Sequence, residues 1–126
     1  KITVNKFAGI DSRTVNVDKL YIMEEDNGYG KSSFLKAINF CLSGDYPTNP
    51  IYNNGNVCQV DIETNGTTLS RVLKKTETGY QNIPYINGRK CTGKAFEEWM
   101  TNNLMSGKAC KILYQKYQNR PLVILL

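Results

Sequence analysis

The sequence predicts an α/β domain with an antiparallel β-layer and few helices, and three observations lead there. An apolar, strand-like run, Leu20-Tyr21-Ile22-Met23, feeds a glycine-rich turn from Glu24 to Ser33. That turn ends in Gly30-Lys31-Ser32-Ser33 and opens into a helix-like run, Phe34 to Leu42. Two Asn-Gly pairs, Asn65-Gly66 and Asn87-Gly88, each lie between strand-like runs, which is the pattern of β-hairpins. Strand, glycine-rich turn, Gly-Lys-Ser, helix is the order of a phosphate-binding P-loop, so the expected fold class is a P-loop NTPase lobe.

The elements follow in order. Ile2 and Val4 alternate as in a strand, with Lys6-Phe7 continuing it, and Ala8 to Ser12 breaks the run. Thr14 to Val17 reads as a second short strand, Asp18-Lys19 as a turn, and Leu20 to Met23 as a third strand. The helix after the loop spans roughly Ser32 to Leu42, with Phe34, Leu35, Ile38, Cys41 and Leu42 on one stripe. Gly44 is a candidate C-cap, and Pro47 prevents the helix from resuming. Residues 45–56, rich in Asn, Gly and Pro, form a loop. The hairpin region is 57–91: Val57 to Glu63, the turn at Asn65-Gly66, Thr67 to Leu73, a polar connector from Thr76 to Asn82, then Pro84 to Cys91 around Asn87-Gly88. Thr92 caps a helix over about 93–104, with Phe96, Trp99, Met100 and Leu104 as its apolar face. Ile112-Leu113-Tyr114 is a further short strand, and the apolar end from Pro121 to Leu126 is expected to be covered.

The P-loop segment, 24–33, carries the chemistry. Gly28 and Gly30 allow positive φ and bring the backbone close to a phosphate with no Cβ between. The amides of Gly28, Tyr29 and Gly30 would line an anion site at a helix N-terminus, with Asn27 shaping the turn. Lys31 would reach the β- and γ-phosphates, and the Ser32 hydroxyl would ligate Mg²⁺. The pattern G-x-x-x-x-G-K-[ST] places its first glycine where this chain has Glu25. A side chain in a tight turn and a carboxylate beside a polyphosphate both weaken nucleotide binding, and Glu24 and Asp26 add to the repulsion.

Composition bounds the rest. The 126 residues suffice for one domain, and with 40% hydrophobic and 21% charged residues the chain reads as globular. No apolar run has the length of a membrane span and no signal peptide is evident, which leads to the expectation of a cytoplasmic protein. There that setting leaves the Asn65-Gly66-Thr67 sequon unused and the four widely spaced cysteines (Cys41, Cys58, Cys91 and Cys110) as free thiols. The absence of His removes His-based acid–base catalysis, triads that use it, and most transition-metal sites. Net charge is +5 but uneven. Residues 1–63 hold six Lys and Arg against eight Asp and Glu, whereas 64–126 hold ten against three. A basic second half suits nucleic-acid phosphates, and it equally suits a solvated face.

The order of elements resembles the N-terminal half of the ATPase head of SMC-like proteins, the ABC-type ATPases of the SbcC, RecN and RecF kind. Ile2-Thr3-Val4-Asn5-Lys6-Phe7 carries the resemblance, with Asp26-Asn27-Gly28-Tyr29-Gly30-Lys31-Ser32-Ser33-Phe34-Leu35-Lys36-Ala37-Ile38 and the closing Leu42-Ser43-Gly44. Residues 20–44 are the diagnostic part. The resemblance implies that residues 1–126 are one N-terminal lobe of a larger ATPase head that binds ATP and Mg²⁺. Ser33 would then touch the α-phosphate. Gln115, with Gln118 as runner-up, would contact the metal and the attacking water. Ser12, Arg13 and Thr14 fall where such heads approach the base and phosphates. The implied partners are a second half-head or a homodimer mate, DNA and a nuclease subunit, and no membrane. Arg71, Lys74, Lys75, Arg89, Lys90 and Lys94 are candidates for DNA backbone contacts. The chain lacks the family's apolar strand ending in Asp-Glu, its signature motif and its coiled coil, so it cannot complete the reaction alone. The alternative is a catalytically inactive P-loop-derived interaction module, or a subunit of an ATPase complex. A small P-loop kinase is disfavoured because the chain has no room for a lid and an acceptor site.

Overall fold

The computed structural model describes residues 1–16, 20–23, 31–64, 66–103 and 122–125. Among these residues eight strands and two helices follow one another. They are β1 (Ile2–Phe7), β2 (Ile10–Val15), β3 (Leu20–Met23), α1 (Lys31–Ser43), β4 (Val57–Thr64), β5 (Thr67–Lys75), β6 (Tyr80–Ile86), β7 (Arg89–Lys90), α2 (Gly93–Asn103) and β8 (Leu122–Leu125). A 3₁₀ turn at Tyr52–Asn54 precedes β4. The main sheet has six strands in the order β2-β1-β4-β5-β6-β7, and β3 pairs with β8 in a separate two-stranded sheet.

Every pairing among the described strands is antiparallel. This overturns the expected α/β P-loop NTPase lobe. The described residues are mostly sheet, with two helices, and the hairpin region expected over 57–91 supplies four strands of the main sheet, which β1 and β2 extend to six. The physical reason lies in the connections. Short turns join β1 to β2, β4 to β5, β5 to β6 and β6 to β7, and a short turn can join only antiparallel neighbours. Both helices link strands of different sheets, α1 between β3 and β4 and α2 between β7 and β8, so no βαβ unit forms among the described residues.

Local chemistry sets the hairpins. Thr64 faces Thr67 across Asn65-Gly66, where Gly66 takes φ +78°. Ile86 faces Arg89 across Asn87 (φ 52°) and Gly88 (φ 77°), the paired positive φ of a tight hairpin turn. The Asn87 side chain also accepts the Thr68 N–H at 2.8 Å, which locks this turn onto β5. Two strands differ from expectation. β2 begins at Ile10 instead of Thr14, because only Ala8-Gly9 breaks the run. Its polar residues serve the β1 pairing: Asp11 forms an ion pair with Lys6, and the Ser12 hydroxyl donates to Asn5 Oδ1 at 3.3 Å. β6 begins at Tyr80, inside the expected connector, because Tyr80, Gln81 and Asn82 continue the register opposite Lys75, Lys74 and Leu73.

The core lies between α1 and one face of the main sheet. Phe34, Ala37, Phe40 and Cys41 of α1 are buried with Ile2, Val4, Val60, Ile62, Leu69 and Leu73. Lys6 takes φ 58°, and β1 then buries Phe7 rather than Lys6. Phe7 stacks on Phe40 with ring centroids 5.3 Å apart. Each fully buried Phe stabilises the fold by roughly 1.5–3 kcal/mol. Gly44, at φ +86°, ends α1 and donates its N–H to the Phe40 carbonyl. The Thr92 hydroxyl accepts the Ala95 N–H at 3.1 Å and caps α2, which buries Phe96 and Met100 and packs along β6.

Candidate phosphate-binding site

The candidate site is the head of α1. The helix begins at Lys31, directly after the glycine-rich segment, and its first turn holds no acidic residue. The first four amides of a helix have no acceptor within it, so this end offers donors to an anion. Two parts of the main sheet border this turn. The Gly9 N–H, in the β1–β2 turn, donates to Ser33 Oγ at 3.4 Å, the long end of the range for such a bond. The Arg13 guanidinium of β2 lies over the Phe34 ring, 5.1 Å from its centroid.

Of the three residues expected near the site from β2, the structure brings only Arg13 to α1. Register explains the selection. Arg13 is opposite Val4, a residue of the α1 face, whereas Ser12 and Thr14 are opposite Asn5 and Thr3 and share the other face. Asn27, Gly28, Tyr29 and Gly30 lie outside the described residues, as do Glu25, Gln115, Gln118 and the side chains of Lys31 and Ser32.

The cations proposed for DNA contacts do not form one stripe. Lys74 and Lys75 sit at one end of β5, opposite Gln81 and Tyr80, and their side chains alternate between the two faces. Arg89 and Lys90 pair with the other end of β6, and Lys94 opens α2. All five are exposed. Arg71 departs from the group: it is only 7% exposed. It points inward between Leu69 and Leu73. Its Nε–H donates to the Cys41 carbonyl at 3.0 Å and its Nη1 to Asn82 Oδ1 at 3.0 Å. Asn82 Nδ2 in turn donates to the Gly44 carbonyl at 2.9 Å. The guanidinium also lies 4.6 Å from the Phe96 ring centroid. Arg71 therefore serves the last carbonyls of α1, where a cation also meets the negative end of the helix dipole. Burial lowers its pKa, and electrostatic interaction with Cys41, Cys91, Glu97 and Asp45 offsets that in part. Sequence reasoning missed this role, although an arginine on the apolar side of an alternating strand was the signal for it.

No group of His, Cys, Asp and Glu among the described residues could hold a metal ion. Cys41, Cys58 and Cys91 are free thiols. No helix among the described residues is long and apolar enough to cross a membrane. No protein-family model and no curated protein sequence matches the chain.

Proposed function

We propose that the chain binds ATP and Mg²⁺ through Gly28 to Ser33 and serves as the nucleotide-binding part of an SMC-like, DNA-processing ATPase. Hydrolysis would require a second half-head and a partner head. The observation that carries this reading is the junction of motif and helix. Gly28-Tyr29-Gly30-Lys31-Ser32-Ser33 runs directly into α1, whose N-terminal amides lack helical acceptors. The donor set suits a polyphosphate with its metal: amides of a glycine-rich turn, an ammonium at Lys31, and hydroxyls at Ser32 and Ser33. Lys31 would bind the β- and γ-phosphates, Ser32 would ligate Mg²⁺, Ser33 would touch the α-phosphate, and Gln115 would orient water or metal. Bound Mg²⁺ would neutralise charge on the transferring phosphoryl group. Because the sequence has no apolar strand ending in Asp-Glu, the general base must come from elsewhere. DNA, a nuclease subunit and a cytoplasmic setting belong to the same proposal; the free thiols are in keeping with a reducing compartment.

A second reading has its own support. The all-antiparallel main sheet and Glu25 in the loop both favour a catalytically inactive module that acts through protein contacts. Calorimetric titration of Mg·ATP into the wild type and Lys31→Ala separates the two. The proposal expects saturable binding by the wild type, weakened at least about tenfold by Lys31→Ala, since a hydrogen bond to a charged group contributes about 1.5–3 kcal/mol. No binding by either protein leaves the inactive module. Equal binding by both removes Lys31 from the site.

A further inference from the structure

We infer that one end of the main sheet, marked by Tyr46, Tyr80 and Lys75, is a binding surface for single-stranded nucleic acid. This goes beyond the nucleotide-site reading: it gives the DNA of that reading a place and a strandedness, and it uses no residue of the glycine-rich loop. Three large apolar residues are exposed among the described residues, Tyr46, Val57 and Tyr80, and they gather at this end. Val57 opens β4 and faces Lys74, and Tyr80 opens β6 and faces Lys75. Tyr46 follows the C-terminus of α1, and its ring meets that of Tyr80 edge to face, with centroids 5.5 Å apart. Register puts Lys75 and Tyr80 on the face that α1 covers, two residues along from Leu73 and Asn82. Tyr46, Tyr80 and Lys75 therefore share one surface, with Lys74 and Val57 on the opposite face of the same sheet end.

The rings are fixed before any ligand arrives. Tyr46 also packs edge-on against Phe40 at 6.4 Å, and Phe40 stacks on the buried Phe7 at 5.3 Å. The two tyrosines are thus the outer end of an aromatic row rooted in the core, yet Tyr46 is 42% exposed and Tyr80 36%. A preorganised aromatic surface loses little side-chain entropy on binding and offers an unpaired base a stacking partner. Bases in a duplex are already stacked and present only their edges, so such a surface selects single strands. Charge favours phosphate as the companion group. Lys74 and Lys75 are exposed and form no ion pair among the described residues, whereas Lys1 and Lys6 pair with Glu63 and Asp11. Two acids lie near this end. Asp45 interacts electrostatically with Arg71, and Glu77, exposed in the β5–β6 turn, opposes a phosphate and limits the affinity. Tyrosines beside lysines match the alternation of bases and phosphates along one strand.

Fluorescence anisotropy of a labelled oligothymidylate tests this on the full chain without Mg·ATP, beside a labelled duplex of equal length. The single strand should bind saturably and at least about tenfold more tightly than the duplex. Tyr46→Leu and Tyr80→Leu keep an apolar side chain but lose the ring, and each should weaken binding at least about fivefold. Tyr46→Phe and Tyr80→Phe keep the ring and should bind like wild type. Thermal unfolding shows which variants are folded, and Tyr80→Leu decides the matter if Tyr46→Leu does not fold. Lys75→Gln should weaken binding and lower its salt dependence by about one counterion, whereas Lys90→Gln, at the other end of β6, should stay within about twofold of wild type. Equal affinity for the duplex, wild-type affinity in the folded leucine variants, or equal losses in Lys75→Gln and Lys90→Gln would each overturn the inference. A chain that binds Mg·ATP but no oligonucleotide also overturns it, leaves the nucleotide site standing and turns this patch over to a protein partner. Oligonucleotide binding without Mg·ATP binding upholds it and removes the nucleotide site.

Discussion

Arg71 shows how a single side chain can change the reading of a surface. Counted among the cations of the basic second half, it suggests a phosphate contact; in the structure its guanidinium serves carbonyls and an aromatic ring inside the protein. Truncating it removes the donor to the Cys41 carbonyl and to Asn82 Oδ1 and leaves a cavity beside Phe96. Arg71→Ala should therefore destabilise the fold by about 2–4 kcal/mol, seen as a lower urea midpoint. Lys74→Ala, at an exposed site, should stay within about 0.5 kcal/mol of wild type. Cys58 gives a pH prediction. It is buried on β4, and burial pushes its thiol up to about 11 from an ordinary 9.0, with a hydrogen bond at the Leu73 backbone offsetting part of the rise. As pH rises past 9 the unfolded chain loses this proton first, while the folded chain keeps it to about 11. The stability contribution is thus intact below pH 9 and lost between pH 9 and 11, by about 2–3 kcal/mol at most. Urea midpoints of the wild type should fall over that interval, and those of Cys58→Ala should fall less.

At the scale of elements, legibility depended on how local the deciding physics was. The turns at Asn65-Gly66 and Asn87-Gly88 were readable because a two-residue turn asks for residues that tolerate positive φ. The stop of α1 at Gly44 was readable for the same reason, and the cap of α2 at Thr92 because a hydroxyl just before a helix accepts a first-turn N–H. β2 and the start of β6 were not, because their residues are polar and their strand state comes from a partner. Asp11 and Ser12 are matched by Lys6 and Asn5 across the hairpin, and Asn82 is matched by Arg71 and Gly44. Hydropathy along one strand does not contain its neighbour. The glycine-rich loop before α1 carries its own prediction. If the Glu25 carboxylate repels polyphosphate and crowds the turn, Glu25→Gly should tighten Mg·ATP binding several-fold, with the gain shrinking as salt rises. Unchanged affinity in a calorimetric titration would mean that Glu25 points away from the site.

For the whole molecule, the motif and the architecture lead in different directions. A strand, a glycine-rich turn and a helix in succession suggested a lobe built on the strand that feeds the loop. Instead β3 pairs with β8 in its own small sheet, and the main sheet is assembled from hairpins with α1 across one face. Sequence order could not reveal this, because which strand neighbours which is decided by connection lengths and by the burial of shared faces, not by any one segment. The proposed function does not depend on the architecture of the sheet, because it rests on a short stretch of sequence, Gly28 to Ser33, that leads into the head of α1. The β1–β2 hairpin then acts as a brace for that head, through Gly9 on Ser33 and Arg13 on Phe34. The most direct test of the central claim is mapping of backbone amide chemical shifts as Mg·ATP is added to the wild-type chain. The account predicts that the largest changes fall on Gly28 to Phe34 and extend to Gly9. Changes centred on the exposed lysines of β5 and β7, or no saturable change, would contradict it.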